Sequence, residues 1–265
     1  MSAALVKPLD VKLMNLVALL LLLGAMALTG VGLARWLAGH SVFAIQGITV
    51  QGDTNHNTDM TLRTQVLPML RGTFLTVDMT GAKRAFEMTP WVRRVVVQRE
   101  FPNRLRVKLQ EHQAVAYWGA DGESTLVNSY GEVFEANAGE VDQDELPRLN
   151  GPKEESAQIL TMYQRLQPQF AAYDMQIEAL ELTGRGSWRA EMDSGAEFEL
   201  GRGTEEVVVS RTVRFLNSMK QVIANYGRGV NALAHVDLRH EQGYALRLKG
   251  VSLVAGEKTP QSKSF

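Results

Sequence analysis

The sequence predicts an α+β protein held by a single N-terminal transmembrane helix, and three observations lead to this prediction. Residues 13–34 are continuously apolar and contain no charged side chain. Residues 104–110 alternate strictly between polar and apolar side chains, as a strand with one buried face requires. Two later stretches, 154–173 and 204–226, carry apolar residues at helical spacing. The chain therefore combines one membrane span with a body of mixed helices and strands.

The apolar stretch has the length of a membrane span. At about 1.5 Å per residue, a helix over 13–34 matches a hydrocarbon core of roughly 30 Å. Trp36 follows it, where an indole favours the membrane interface. A cleaved signal peptide is one alternative, because residues 37–40 include small side chains, but its apolar core is typically only about 7–15 residues long. A buried core helix is the other, and it is disfavoured by the lack of a polar stripe. We expect a transmembrane helix at 13–35.

The charges that flank the span predict its orientation. Lys7 and Lys12 precede it, whereas after Arg35 no lysine or arginine occurs before Arg63. Because positively charged flanks stay in the cytoplasm, residues 1–12 are expected to form a cytoplasmic tail. The protein is then a single-pass type II protein of the cell inner membrane, with its bulk in the periplasm.

Composition excludes several kinds of function. The formal net charge is −1, without the basic excess of a general nucleic-acid binder. The chain has no cysteine, which excludes disulfides, thiolate metal sites and cysteine nucleophiles. An arginine-rich set on a predicted hairpin is interpreted as the solvated face of a sheet, with a protein contact or a nucleic-acid patch as alternatives. This set comprises Arg93, Arg94, Arg99, Arg104 and Arg106.

Residues 43–112 form the first folded block, in the order strand, helix, helix, hairpin. The hairpin is the clearest part, because Leu105, Val107 and Leu109 alternate with charged or polar residues. Asp78 is placed to begin the second helix, which Thr89-Pro90 ends. The predicted elements are a strand within 43–52, a helix from residue 58 or 59 to about 68, a helix at 78–88, and strands at 91–101 and 104–111.

The remaining chain alternates further strands and helices. Pro168 should kink or end the helix at 154–173. The polar residues after Gly256 predict a disordered tail, taken as 253–265. The predicted elements are a segment at 114–118, a hairpin within 126–134 with Gly131 at its bend, a meander of 179–183, 187–192 and 196–200, a turn at 201–203, a helix from 204 to about 226, and strands at 234–240 and 244–248.

No catalytic site, metal site or cofactor site is predicted, so we expect no enzyme activity and no small-molecule substrate. The five histidines show no metal-ligand spacing. His235 and His240 fall in one predicted strand, five residues apart, and would point to opposite faces. The run 201–203 lacks the lysine of a phosphate-binding loop.

The last predicted strand is a candidate binding edge. Residues 244–248 contain no proline or glycine, and only Arg247 disfavours association with another strand. A free edge of this kind is either covered or serves to recruit an additional strand. Both alternatives are open from the residues alone.

The order of these elements resembles the FtsQ/DivIB family of bacterial cell-division proteins. The run from Pro90-Trp91-Val92 through Phe101-Pro102 to Glu111, just outside a single anchor, is similar to a POTRA domain. Residues 114–118, 126–134 and 146–152 are similar to the β domain that follows it in this family. The resemblance extends to about residue 250. It implies a POTRA domain at 43–112 and a β domain at 113–252.

The resemblance implies a non-catalytic scaffold of the divisome, enriched at the division septum. In this family the late strands receive FtsB, which pairs with FtsL, and FtsK, FtsW, FtsI and FtsN are further expected partners through the POTRA and transmembrane regions. His240 stands where tyrosine is frequent, and Leu248 where a bulky aromatic can occur. The positions implied for partner binding are Arg185, His240, Tyr244, Ala245, Leu246, Arg247 and Leu248.

Two other functions compete with this interpretation. A POTRA-type chaperone or translocation factor would bind extended segments of outer-membrane proteins, but such proteins usually carry several POTRA repeats or a barrel, and this chain has one candidate unit. An anchored envelope enzyme is disfavoured because the sequence shows no catalytic motif. Protection of unfolded barrel proteins by the exported part would favour the chaperone.

Overall fold

The computed structural model describes residues 9–120, 124–141, 146–225, 227–240 and 243–250. The chain divides into two compact units, Met1–Glu111 and His112–Phe265. The predicted α+β fold class is confirmed. The predicted disordered tail (253–265) and most of the predicted cytoplasmic tail (1–12) lie outside the described residues.

The first unit begins with the long helix α1, Leu9–Ala38. It is longer at both ends than the predicted 13–35, because Asp10, Lys12 and the residues after Arg35 are all compatible with a helix. Within Asp10–Ala38, an 18-residue stretch has a mean hydropathy of 2.5, and none of that stretch is buried in the protein. By length and composition this helix is able to cross a membrane.

The rest of the first unit is a three-stranded sheet with two helices. β1 runs parallel to the central β3, and β2 pairs with β3 as an antiparallel hairpin. Leu105, Val107 and Leu109 are buried, as their alternation predicted, and pack with Phe86 of the second helix. The elements are β1 Gly47–Gly52, α2 Asp59–Val66, α3 Met79–Glu87, β2 Val92–Glu100 and β3 Arg104–Glu111, with short 3-10 turns at Ser41–Phe43 and Leu67–Met69.

The second unit is built on one nine-stranded sheet, with the strand order β12-β11-β10-β9-β8-β7-β4-β5-β6. Its strands are β4 Ala114–Trp118, β5 Thr125–Asn128, β6 Val133–Glu135, β7 Arg148–Asn150, β8 Ile177–Leu182, β9 Ser187–Met192, β10 Glu197–Arg202, β11 Leu233–Asp237 and β12 Ala245–Leu248. Its helices are α4 Ser156–Ala171 and α5 Glu205–Ala224, with short 3-10 turns at Ala138–Glu140, Lys153–Glu155 and Val230–Ala232.

The core of the second unit lies between the sheet and its two helices. α4 packs against β7 and β8, α5 packs against β10, and the helices contact each other. Phe198 of β10 stands at the centre, with ring centroids 5.2 Å from Phe170 and 5.9 Å from Phe215, both edge-on. This packing supports β10, and residues of β11 and β12 belong to the same core.

Three local predictions are corrected by the structure. Pro168 does not end α4, which continues to Ala171, because the core packing of Leu166 and Phe170 offsets the one backbone hydrogen bond that the proline lacks. Gly201 belongs to β10 at a shift in register, not to a separate turn. β11 ends at Asp237 instead of residue 240, because the Arg239 N–H donates to the Asp237 carboxylate at 3.0 Å and turns the chain away.

Candidate functional site

β12 forms one edge of the nine-stranded sheet. It pairs with β11 in antiparallel register, with Val236 opposite Leu246 and His235 opposite Arg247. Among the residues that the structure describes, no strand lies on the other side of β12. Within this described part of the chain, the outer backbone groups of β12 are therefore available to another strand.

The side chains of β12 alternate between the two faces of the sheet. Ala245 and Arg247 are exposed, whereas Leu246 is half-buried and Leu248 is only 6% exposed. Leu246 packs against the core to which Leu248 belongs. The structure therefore directs the Leu248 side chain inward, and only its backbone remains at the edge.

One hydrogen bond shows to which side the N–H and C=O groups of each β12 residue point. The Lys249 N–H donates to the Ala232 carbonyl at 2.6 Å, toward β11. Because successive residues of a strand direct their N–H and C=O groups to opposite edges, Leu246 and Leu248 direct theirs to the open side. These two residues thus carry the groups that an added strand would meet.

Tyr244 and His240 flank a small cavity next to this edge. The Tyr244 ring stands edge-on to Phe215 with centroids 4.8 Å apart, and its hydroxyl lies 3.0 Å from Ser218 Oγ of α5. His240 is exposed and lies beyond the end of β11, so the prediction that it shares a strand with His235 is wrong. The cavity has a volume of about 250 Å³ and is lined by Arg211, Arg214, Phe215, Ser218, Leu238, His240, Gly243 and Tyr244.

Arg185 lies apart from β12, in the turn that joins β8 to β9. Gly186 beside it has φ +73°, and its N–H donates to the Thr183 carbonyl at 2.8 Å, so the turn presents Arg185 to solvent. Arg185 lines an open groove of about 900 Å³ that is rich in arginine. Arg211 lines both this groove and the cavity beside Tyr244. The other arginines of the groove are Arg189, Arg202, Arg211 and Arg239.

Most of these arginines are already engaged within the protein. Arg189 Nε donates to Glu199 Oε1 at 2.9 Å, and Arg239 Nε donates to Asp237 Oδ1 at 2.9 Å. The hydrogen bond from Arg239 lowers the pKa of Asp237 to about 2, against the opposing effect of its burial.

Arg211 is engaged with backbone rather than with a carboxylate. It donates to the carbonyls of Leu200 at 2.5 Å and Arg202 at 3.2 Å. Gly201 permits this approach, because a Cβ at that position would lie 2.7 Å from Arg211 Nη1. The glycine that resembled an ordinary turn residue therefore has a packing role.

The basic groove is the part of the site that the sequence did not predict. Its arginines come from β9, β10, α5 and the turns beside them, so no local pattern brings them together. The cross-strand pair of Arg189 and Glu199 could have indicated part of this groove from the sequence, since both residues lie on the polar face of the predicted meander.

The arginine set of the first hairpin proves partly structural. Arg99 donates to the carbonyls of Phe74 and Val77, each at 2.9 Å, and Arg106 pairs with Glu100.

Within the described residues, no three histidine, aspartate or glutamate side chains come together in a way that could hold a metal ion. The candidate site of the second unit thus consists of the β12 edge, the cavity beside Tyr244 and the basic groove.

Two family profiles match the chain. The family described as "Cell division protein FtsQ/DivIB, C-terminal" matches residues 116–239, and the one described as "POTRA domain, FtsQ-type" matches residues 43–112. The first match ends one residue before His240, so β12 lies beyond it.

The chain is also similar to division proteins of several bacteria. It is 38% identical over 258 residues to the cell division protein FtsQ of Thiomonas arsenitoxydans, covering 95% of this chain and 92% of that relative. It is 35% identical over 217 residues to the protein of the same name from Burkholderia pseudomallei, covering 82% and 84%. With that of Bordetella pertussis the identity is 32% over 260 residues, covering 90% and 92%.

Proposed function

The chain belongs to the FtsQ/DivIB family of bacterial cell-division proteins, and from this membership we propose that it is a non-catalytic scaffold that recruits FtsB, and through it FtsL, by strand addition to β12. A division role and a membrane anchor follow from the family and the apolar helix. The proposal concerns how this anchored division protein holds its partners.

The observation that carries the proposal is the open edge of β12. The strand is short, is paired on one side by β11, and has no proline or glycine that would resist a further strand. An incoming strand of FtsB would pair with the outward N–H and C=O groups of Leu246 and Leu248. Ala245 and Arg247 would then flank it with their exposed side chains.

The surroundings of the edge supply side-chain contacts. The cavity beside Tyr244 and His240 suits one apolar side chain of the partner, since a pocket of this volume has room for a single large residue. Arg185, in the basic groove, would meet an acidic residue. Because Leu248 is directed inward, backbone pairing and the cavity supply more of the contact than Leu248 itself.

The membrane anchor makes this recruitment efficient by raising the effective concentration of the partners. A protein confined to the inner membrane, with its bulk in the periplasm as a type II protein, meets partners that are confined to the same plane at a high effective concentration. We propose that it is enriched at the septum, where it connects early and late division proteins. FtsK, FtsW, FtsI and FtsN would bind through the POTRA and transmembrane regions.

A proline at Leu246 tests strand addition. Leu246→Pro removes an outward N–H that an added strand would use, and it leaves the N–H groups that face β11 in place. We expect the full-length protein to lose capture of FtsB in a pull-down from membranes, because the added ladder is interrupted.

Leu246→Ala is the matched control, since it removes the same half-buried side chain but keeps the N–H. Capture by the alanine variant should stay close to that of the unmodified protein. Capture by the proline variant at the same level as the alanine variant would show that FtsB does not bind by strand addition.

The relatives favour this role over the chaperone alternative, because they are named as cell-division proteins. Protection of unfolded barrel proteins by the chain would speak for the chaperone instead.

A further inference from the structure

The loop between α2 and α3 is attached to the end of the membrane anchor. Thr73 Oγ1 donates to the Ala38 carbonyl at 2.6 Å, and Ala38 is the last residue of α1. The Phe74 N–H donates to the Phe43 carbonyl at 2.7 Å. The loop therefore has a defined position relative to the helix that precedes it.

This attachment places the loop at the level of the lipid headgroups. The apolar stretch ends at Ala34, and Ala38 lies four residues later, about 6 Å further along the helix. The headgroup region extends roughly 5–7 Å beyond the hydrocarbon on each side. Thr73, hydrogen-bonded to Ala38, therefore lies within or just above it.

The tip of the β2–β3 hairpin lies next to this loop. The rings of Phe74 and Phe101 meet edge-on with centroids 6.4 Å apart. The Gln46 N–H donates to the Asn103 carbonyl at 3.0 Å, which holds the tip against the segment that follows the anchor. Phe101 itself is 82% exposed, an unusual environment for a phenylalanine.

Exposed apolar and basic side chains lie beside the loop and the tip in the sequence. Leu75 follows Phe74 directly and Val42 precedes Phe43, and both are exposed. Arg71 and Arg104 flank the loop and the tip, and both are exposed. We call Val42, Arg71, Leu75, Phe101 and Arg104 the juxtamembrane surface.

The charges around this surface favour an anionic ligand. Of the neighbouring acids, Asp78 caps α3 by accepting from the Thr80 N–H at 2.9 Å, and Glu100 is paired with Arg106. Arg99 is engaged with backbone carbonyls. Bonds to the backbone leave the charges of Asp78 and Arg99 in place, so four arginines (Arg71, Arg99, Arg104 and Arg106) face two acids. The surface therefore has an excess of positive charge next to a membrane.

We propose that the juxtamembrane surface docks on the anionic phospholipids around the anchor, with Phe101 and Leu75 in the interface and Arg71 and Arg104 on the headgroups. Aromatic and apolar side chains flanked by arginine are the combination that binds such an interface. Docking would hold the POTRA domain close to the bilayer. It does not depend on the recruitment of FtsB.

The absence of native cysteine allows the test to be made on the full-length protein. Leu75→Cys introduces a single thiol for an environment-sensitive fluorophore, with Phe101 still in place. Met88→Cys is the matched control, because Met88 is 71% exposed and follows the C-terminal end of α3, whereas Leu75 precedes its N-terminal end. Each labelled protein is placed in nanodiscs of phosphatidylglycerol and phosphatidylcholine in equal amounts.

Nitroxide-labelled lipids should quench the fluorophore at position 75 several-fold more than the one at 88. Phe101→Ser, Arg71→Glu or a pure phosphatidylcholine bilayer should each reduce that difference. Equal quenching at the two positions, or equal access of both labels to aqueous iodide, would overturn the proposal. Shielding of position 75 that arises only on addition of another division protein would also overturn it, in favour of a protein contact.

Discussion

Arg185 differs from Arg189, Arg211 and Arg239 of the basic groove in what it can offer to a partner. Arg189 and Arg239 are paired with carboxylates, and Arg211 donates to backbone carbonyls. A partner would have to displace these bonds, at a cost in free energy for each group left unpaired. Arg185 is exposed at the tip of its turn, so it is better placed than these three arginines to meet an acidic residue.

Charge reversal at Arg185 is therefore expected to weaken capture of FtsB. For Arg185→Glu we expect a loss of about tenfold in affinity or more, because a like charge would face the acidic residue of the partner. The loss should shrink as salt is added, since the contact is exposed to solvent. Titration of FtsB against the full-length protein at two salt concentrations measures both effects.

Arg84→Glu provides the control for this measurement. Arg84 is exposed on α3 in the first unit, and its reversal changes the net charge of the protein by the same amount. An equal loss of affinity in both variants would show that overall charge, not Arg185, is responsible.

At the scale of elements, the hairpin of β5 and β6 is joined to the start of α4 by close packing. Ser156 Oγ donates to the Gly131 carbonyl at 2.6 Å. Gly131 has φ +79°, and a Cβ there would lie 2.5 Å from Ala157 Cα. The bend must therefore be glycine for two reasons, the left-handed backbone and the lack of space.

Alanine substitutions at two glycines separate the cost of the left-handed backbone from the cost of the missing space. Gly195 has φ +73°, but no atom lies within 4 Å of the position of its Cβ. Gly195→Ala should lower the free energy of unfolding by about 1 kcal/mol, the cost of the left-handed conformation alone. Gly131→Ala should lower it by about 3 kcal/mol, because the clash with α4 adds to that cost.

Chemical denaturation of the two variants, followed by circular dichroism, measures these differences. Equal destabilisation by both substitutions would show that the contact of Gly131 with α4 contributes nothing.

At the scale of the whole molecule, the anchor is expected to act as a tether. Residues 13–34 contain no ionisable side chain, so the helix lacks the groups that line a transport path. Its glycines at 24, 30 and 32 do not form a Gly-x-x-x-Gly pair, which would favour a specific helix partner.

Replacement of 13–34 by an unrelated apolar span of the same orientation should leave localisation to the septum largely intact. The replacement retains residues 35–40, so that the Ala38 carbonyl still accepts from Thr73. Fluorescence microscopy of the swapped protein in cells depleted of the native one provides the measurement. Complete loss of septal localisation would instead reveal a specific partner for the helix.

The sequence by itself determined the features that depend on local period and composition. The buried face of Leu105, Val107 and Leu109 follows from an alternation that one strand contains in full. Asp78 caps α3 because a single side chain and the next turn suffice for that bond. The anchor follows from length and hydropathy alone. The domain limits 43–112 and 113–252 remain predictions.

Only the tertiary structure decided what depends on neighbours distant in sequence. The sheet order makes β12 an edge. It arises because β11 pairs in parallel with β10, although the whole of α5 separates these two strands in the sequence. The basic groove needs β9, β10 and α5 to come together. Leu248 faces inward, and β11 ends at Asp237 because Arg239 bonds to it. A local pattern cannot show these features, because each is set by which strand packs beside which.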